Sequence, residues 1–145
     1  MATTQKWARG TADTLLSTEL NSVANNTNAV KSSAVTLTTE SYVIAEAELR
    51  VQFGGTPTAN TSISVWFLRE IDGTNFEDGS GSITPARNPD VVIPVRATSN
   101  AQRIIKSCVL PPGSFIPLIR NDGTGQSLAA SGNTLKVRPV TLQSV

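Results

Sequence analysis

Apolar and polar residues alternate over long stretches of the chain from Ser32 onward, and a period of two is typical of β-strands with one buried face. The longest alternation covers residues 42–53. Its apolar side carries Val43, Ala45, Ala47, Leu49, Val51 and Phe53, and its polar side carries Glu46, Glu48, Arg50 and Gln52. We predict here a half-buried antiparallel strand that ends at the turn cluster of residues 54–57.

The next alternating stretch, residues 62–71, has apolar residues on both sides. Ile63, Val65, Phe67 and Ile71 share one side, and Trp66 and Leu68 lie on the other. This pattern predicts a strand covered on both faces. Further strands are predicted over residues 35–38, 91–96, 102–110, 114–120 and 134–142. Seven or eight short strands separated by turn signals predict an all-β fold, an antiparallel, jelly-roll-like β-sandwich.

Three of these strands contain an internal proline, namely Pro94, Pro117 and Pro139. Proline cannot donate a ladder hydrogen bond, so each should lie on an edge strand or at a bulge. A sandwich of two sheets has four edges, which favours it over a closed barrel.

The N-terminal residues follow a different pattern. Leu16, Leu20 and Val23 have the spacing of one helical face. Ser17 stands where an N-cap is expected, and Glu19 falls in the first turn, where carboxylates are favoured. We predict a short helix at this point, closed by the two asparagines at 25 and 26.

Two regions are expected: an extended N-terminal arm with this helix, residues 1–31, and a β-sandwich domain, residues 32–145. The chain of 145 residues is long enough to bury a core without disulfides. Residues 1–10 lack the apolar segment of a signal peptide, and no apolar run approaches the roughly 18–20 residues of a membrane span. We expect synthesis in the cytosol and no membrane association.

The composition limits the chemistry that the chain can perform. Histidine is absent, and the single cysteine, Cys108, lies in an apolar run. The chain therefore lacks the most common general acid–base group, and Cys and His cannot form a metal site. A net charge of +1 without basic clusters argues against nucleic-acid binding. We expect a protein that is not an enzyme and has no cofactor, metal or nucleic-acid partner.

Two clusters of acidic residues have structural interpretations that we prefer to catalytic or metal-binding ones. Asp72, Asn75, Glu77 and Asp78 share one loop, but their spacing does not match an EF-hand, so an ordinary hairpin loop is preferred to a calcium site. Glu46 and Glu48 face the same way, as paired glycosidase carboxylates would. Arg50 continues that face, so we interpret it as a row of surface or intersubunit charges.

Two further residues suggest binding or reactivity. Trp66, with Tyr42, could form a platform for sugar stacking, as in carbohydrate-binding modules, although an isolated tryptophan on a strand is more often core or interface. Cys108 shares a strand face with Ile104 and Leu110, and we interpret it as a small buried apolar residue.

Trp7 is a large apolar residue in an otherwise polar N-terminal stretch. Either the arm folds back on its own domain, or Trp7 anchors the chain to a neighbouring subunit. Aromatic anchors dominate interface energetics, and truncating one can cost about 2 kcal/mol or more.

Four stretches of the chain carry a resemblance to a known family. They are GTADTLLSTELNS at residues 10–22, SVWFLR at 64–69, TPARNPD at 84–90 and NDGTG at 121–125. In these stretches the chain resembles the capsid decoration proteins of tailed bacteriophages, which are also called cement or auxiliary head proteins. Such proteins are histidine-poor β-domains with an extended N-terminal arm, and they sit on the assembled head as trimers or other oligomers.

The resemblance implies a virion protein on the capsid exterior whose partners are the major capsid protein and copies of itself, most simply as a homotrimer. It implies no chemical step. The partner-binding residues expected in the arm are Trp7, Leu15, Leu16 and Leu20, with Lys6 and Arg9 complementing acidic capsid patches. Head fibres and tail components share this compositional style and are the alternative, and a carbohydrate-binding β-sandwich is the alternative of another class.

Overall fold

The structure, a computed structural model, describes residues 4–37 and 44–144. These residues form two antiparallel sheets in a sandwich-like arrangement, as predicted. The strands are β1 (Gln5–Arg9), β2 (Asp13–Leu16), β3 (Asn28–Val30), β4 (Val35–Thr36), β5 (Ile44–Val51), β6 (Ser62–Arg69), β7 (Val91–Pro94), β8 (Gln102–Val109), β9 (Ser114–Asp122) and β10 (Thr134–Ser144). A 3-10 helix, Thr18–Leu20, is the only helical segment in the described part of the chain.

Each sheet has two short strands that follow one another along one edge. The first sheet has the order β1 and β2, then β10, β5 and β8. The second sheet has the order β3 and β4, then β9, β6 and β7. The connected strands thus divide evenly between the two layers, with five strands in each.

The internal prolines explain why these edge strands are interrupted. The carbonyl of Pro139 in β10 accepts the Gly10 N–H at 2.9 Å, and the carbonyl of Pro117 in β9 accepts the Lys31 N–H at 3.1 Å. The N and C=O of one residue in an antiparallel strand point to the same side. The nitrogen of Pro139 therefore points to the gap between β1 and β2. The nitrogen of Pro117 likewise points to the gap between β3 and β4.

The prediction that prolines mark edges or bulges is confirmed for Pro94, which ends the edge strand β7. Pro117 and Pro139 lie instead in central strands, opposite a break in the neighbouring strand. At the β1–β2 break a Cβ on Gly10 would lie only 2.9 Å from Cγ of Pro139, so this close approach requires glycine.

The main core lies between the sheets and confirms the alternation predicted for residues 44–53. In β5 every second residue, from Ala45 to Val51, is buried. Phe67 of β6 meets Phe115 of β9 edge to face, with ring centroids 5.2 Å apart. Tyr42 and Val43, which were predicted to begin this strand, lie outside the described residues.

A smaller core covers the outer face of the second sheet. It consists of Trp66, Leu68 and Leu118, with Val30 and Ile116 packed against them. Residues 70–90, called here the covering loop, close over these side chains. A Cβ on Gly79 would lie 2.8 Å from Cδ1 of Leu68, which shows how closely the loop backbone approaches the sheet.

The covering loop confirms that β6 is buried on both faces, since its residues from Ile63 to Leu68 are all buried. Ile71 was placed with the buried side of this strand, and that prediction is wrong. The strand ends at Arg69, and Ile71 is fully exposed in the loop that follows.

The N-terminal residues are part of the sandwich in the described segment 4–31, and they are not an extended arm. Strands β1 and β2 pair with β10, and β3 pairs with β9. Leu15, Leu16 and Leu20 are fully buried in the main core. Burying a leucine contributes roughly 1.5–3 kcal/mol, which favours folding this segment onto its own sheets.

The predicted helix is reduced to the single 3-10 turn Thr18–Leu20. The Ser17 side chain makes no cap hydrogen bond, while the Glu19 carboxylate accepts the Ser17 backbone N–H at 3.0 Å. Asn25 and Asn26, expected to close a helix, accept the backbone N–H groups of Gly125 and Gly123, each at 2.9 Å. These bonds fasten the N-terminal segment to the loop after β9.

Candidate interaction surface on the first sheet

The outer face of the first sheet is open to solvent, in contrast to the covered second sheet. Eight large hydrophobic residues are exposed in the described part of the chain. Five of them lie on this one face: Trp7, Ile44, Ile105, Val109 and Leu142. Clustered exposed apolar groups mark interaction surfaces, whereas single scattered ones do not.

Trp7 and Leu142 form one exposed pair. They lie directly opposite each other in the β1–β10 ladder, so their side chains point to the same side. Trp7 is 63% exposed. Two residues further along the same ladder Arg9 reaches across to Glu46 on the outer face of β5, which shows that Trp7 and Leu142 share that face.

Ile44 and Val109 form a second exposed pair at the same end of the sheet. They are partners in the β5–β8 ladder. The β10–β5 register pairs Pro139 with Ala45 and so brings Val140 next to Ile44. Trp7, Leu142, Ile44 and Val109 are called here the apolar patch.

Beside the apolar patch, charged residues continue along the same face. Glu46 accepts hydrogen bonds from Arg138 at 2.5 Å and from Arg9 at 3.2 Å. Glu48 is ion-paired with Arg103 at 2.7 Å. The hydrogen bonds from Arg138, and next those from Arg9, hold the pKa of Glu46 below its usual value.

These ion pairs do not suit the two carboxylates to glycoside hydrolysis. The general acid of a glycosidase needs a raised pKa, and that of Glu46 is lowered. Glu48 is held by Arg103. The arrangement supports the interpretation of a surface charge row.

The charge row encloses an open groove of about 300 Å³. The groove is lined by Ala12, Ile105 and Val137 and by five charged residues, which are Arg103, Lys136, Arg138, Glu46 and Glu48. No described carboxylate forms an ion pair with Lys136. This region is called here the charged groove.

The six residues predicted to bind a partner fall into two groups. Lys6, Trp7 and Arg9 lie on β1 and are exposed. Leu15, Leu16 and Leu20 are fully buried and cannot touch a partner in this structure. The helical spacing of apolar residues does not distinguish a docking face from a segment that packs into its own core.

The predicted sugar platform is not present at Trp66. This side chain is 4% exposed and lies under the covering loop, where its Nε1–H donates to the carbonyl of Arg87 at 3.0 Å. A sugar ring cannot stack on a buried indole. Tyr42 lies outside the described residues.

The acidic loop uses its carboxylates to hold its own backbone. Asp72 accepts the N–H groups of Asn75 at 2.7 Å and Thr74 at 2.9 Å. These bonds, with one from the Asn75 side chain, lower the pKa of Asp72 to about 2.

Glu77 of the same loop forms an ion pair with Arg87 at 2.8 Å. Within residues 4–37 and 44–144 no three acidic or cysteine side chains come together as a metal site would require.

Cys108 is buried, as predicted. Burial, and next the nearby charge of Asp90, raises the pKa of its thiol to about 11. The thiol is therefore neutral at physiological pH, and only the thiolate is a good nucleophile.

Sequence reasoning missed most of the apolar patch. Leu142, Val109 and Ile44 lie in alternating strands, and exposed apolar positions at strand ends look like core positions. The register that brings them next to Trp7 depends on pairings between distant segments.

No known protein family matches the sequence, and no curated protein shows significant similarity to it. The described residues include no helix with the length and hydropathy that a bilayer crossing demands.

Proposed function

We propose that this protein is a structural component of a tailed-phage virion that binds the exterior of the assembled capsid and stabilises it, without a chemical step. The observation that carries the proposal is the apolar patch beside the charged groove, on a sheet face that is exposed in the described part of the chain. Such a surface suits protein–protein contact, with an aromatic anchor and a polar surround. The resemblance to decoration proteins supplies the identity of the partner, the major capsid protein.

The strand pairing supports a jelly-roll-like fold as part of the same proposal. When β1 is joined to β2 and β3 to β4, the described residues form eight strands, which pair first with last, second with seventh, third with sixth and fourth with fifth. This is the pairing of one long hairpin wrapped into two sheets. Jelly rolls recur in viral capsid proteins, and also in lectins.

Stabilisation of the capsid would follow from mass action. A protein that binds the expanded lattice and not the dissociated subunits stabilises the lattice by RT ln(1 + [L]/Kd) at each site. A homotrimer would link several such sites, so that moderate contacts become strong together.

The corrected fold changes which residues make the proposed contact. Trp7 is the central anchor, with its neighbours in the apolar patch, while Arg9, two residues further along the same strand face, meets acidic groups at the margin. Lys6 alternates with Trp7 and so points to the opposite face of β1. Leu15, Leu16 and Leu20 hold β2 and the following turn in the core. Deleting residues 1–16 would therefore remove core leucines, and point variants are the cleaner test.

The test measures occupancy on purified expanded heads that lack the protein. Trp7→Ala and Val109→Ser should each reduce occupancy at a fixed protein concentration, by roughly tenfold or more for an anchor worth about 2 kcal/mol. Val92→Ser is the matched control, because Val92 is also exposed but lies on β7 of the second sheet. Unchanged occupancy for the two patch variants would overturn the proposal.

The same assay separates the alternatives. A head-fibre or tail component would leave bare heads unoccupied and bind purified fibres or tails instead. A carbohydrate-binding module would bind neither particle, and its intrinsic tryptophan fluorescence would change on addition of a glycan.

A further inference from the structure

The charges of this protein are divided between two opposite faces. The outer face of the first sheet carries five cationic side chains against the two carboxylates of Glu46 and Glu48. The cationic residues are Arg9, Arg50, Arg103, Lys136 and Arg138. The covering loop carries five carboxylates against one cation of its own, Arg87, and Arg69 at the end of β6 pairs with one of these carboxylates, that of Asp90. The whole chain has a net charge of only +1, so this separation leaves one basic and one acidic face.

The acidic face ends in an exposed apolar tip beside a hydrogen-bonded turn. Ile71 is fully exposed and stands between Glu70 and Asp72. Asp72 holds the next residues through two backbone N–H bonds, and the Glu70 carboxylate accepts the Gly73 N–H at 2.5 Å. A tip ordered in advance loses little conformational entropy on binding.

The basic face offers a complementary recess. The charged groove is lined by the exposed Ile105 and by three cationic side chains, Arg103, Lys136 and Arg138, against the two carboxylates of Glu46 and Glu48. Its volume of about 300 Å³ exceeds that of one isoleucine side chain. The acidic residues on both sides of the apolar tip thus meet a lining that holds an exposed isoleucine and carries more cations than carboxylates.

We infer that the charged groove receives the Ile71 tip of a second copy of this chain. Ile71 of one copy packs on Ile105 of the next, while Glu70 and Asp72 approach Lys136 and Arg138. Because the tip and the groove are different surfaces, the contact is heterologous and repeats head to tail. It closes into a ring, such as a trimer, when the rotation between copies allows it. The inference rests on the proposed function in that it names the occupant of the groove beside the capsid-binding patch.

The contact is small, so we expect association that depends on protein concentration and weakens with salt. Interfaces below about 1,200 Å² are generally weak, and salt near 1 M shortens the screening length to about 3 Å. Sedimentation of the purified chain should show oligomers at low salt that dissociate at high salt.

The decisive test mixes two variants that each lack one half of the contact. Ile71→Ser removes the apolar tip, and Ile105→Asp places a negative charge in the groove lining. Each variant alone should associate at least about tenfold more weakly than the wild type, because burial of an isoleucine is lost or opposed. Mixed, they should form a one-to-one heterodimer and nothing larger, because only one intact tip and one intact groove are left to meet. Ile83→Ser, at another exposed isoleucine of the covering loop, is the matched control and should associate like the wild type.

The remaining outcomes overturn the inference. A wild-type chain that stays monomeric at low salt, variants that associate like the wild type, or a mixture without heterodimer would each exclude the tip–groove contact. If Ile105→Asp reduces occupancy on heads while the wild-type chain stays monomeric, the groove belongs to the capsid contact. Self-association is measured on the purified chain in the absence of heads, whereas capsid binding is measured as the occupancy of Trp7→Ala on heads. The tip–groove contact can therefore fail while the capsid-binding proposal stands, and the reverse is also possible.

Discussion

The outer faces of the two sheets differ in burial. The second sheet carries Trp66, Leu68 and Leu118 on its outer face and buries them under the covering loop. The first sheet carries Trp7, Leu142, Ile44 and Val109 on its outer face and has no covering element among the described residues. These large apolar side chains on the second sheet are thus buried within the fold, whereas those on the first sheet are exposed and available for contact with a partner.

The two tryptophans show the difference most clearly. Trp66 is buried and hydrogen-bonded to the loop, whereas Trp7 is 63% exposed. The first should support the stability of the fold and the second should support binding.

The largest expected effect is therefore on stability at Trp66. Trp66→Ala should lower the free energy of unfolding by about 3–5 kcal/mol, because it leaves a cavity beneath the covering loop. Trp7→Ala should change it by no more than about 0.5 kcal/mol, as exposed substitutions do. Urea denaturation of both variants gives the comparison. Equal losses would mean that the two faces do not differ as described.

A smaller effect is expected at the clamp of the covering loop. Arg87 is ion-paired with Glu77 and Asp90 and also donates to the carbonyl of Phe67. Arg87→Ala should cost about 2 kcal/mol, since charged hydrogen bonds on a partly buried group are lost. Arg103→Ala removes an exposed pair on the first sheet and should cost less than about 1 kcal/mol. A larger loss of unfolding free energy for Arg103→Ala than for Arg87→Ala in urea denaturation would show that Arg87 does not fasten the covering loop.

Acid should loosen the covered face through its carboxylates. The hydrogen bond from Arg87 holds the pKa of Glu77 below its usual 4.5, and the pKa of Asp72 falls from 3.8 to about 2. A lowered pKa adds stability that is complete above the unfolded value and is lost as the pH falls through the folded one. Stability should thus decline below pH 4.5 and continue to decline towards pH 2.

Trp7→Phe leaves Trp66 as the single tryptophan, so its fluorescence, excited at long wavelengths where tyrosine absorbs little, can follow this decline. In that background Asp72→Asn should flatten the pH dependence of stability between pH 3.8 and about 2. The same slope with and without Asp72 would show that this carboxylate makes no such contribution.

The smallest effect on the free energy of unfolding at neutral pH is expected from the thiol of Cys108. Burial raises the pKa of its thiol to about 11 from 9.0, which lowers the thiolate fraction about a hundredfold at pH 8. A thiol reagent should therefore label the folded chain at least about a hundredfold more slowly than the urea-unfolded chain. The raised pKa adds stability below pH 9 that is lost as the pH approaches 11. Equally fast labelling of the folded chain would place Cys108 outside the core.

Local alternation predicted much of the sandwich but not its edges. The buried side of β5 and the double burial of β6 follow from side chains two residues apart. Pro139 and Pro117 were harder to place, because a proline in a central strand is tolerated only where the neighbouring strand breaks. That break lies more than a hundred residues away in sequence for Pro139 and Gly10.

The charge row beside Glu46 was predicted from strand alternation, but the apolar patch was predictable only at Trp7, whose large apolar side chain stands out in a polar stretch. Leu15, Leu16 and Leu20 were assigned to a partner because a helical spacing leaves open which surface they meet. Asn25 and Asn26 looked like a helix end, but their side chains bind glycine N–H groups about one hundred residues away. Such long-range hydrogen bonds leave no local pattern in the sequence.

Hydroxyl-radical footprinting of the chain, free and on expanded heads, tests most directly whether the open sheet face is the interface. Mass spectrometry of the labelled chain gives the extent of labelling at Trp7, Leu142 and Val109 on this face, and at Val92 and Ile83 on the other. We predict that the first three become protected on the heads while the last two stay as reactive as in the free chain. Unchanged labelling of Trp7 with new protection at Val92 or Ile83 would contradict the account.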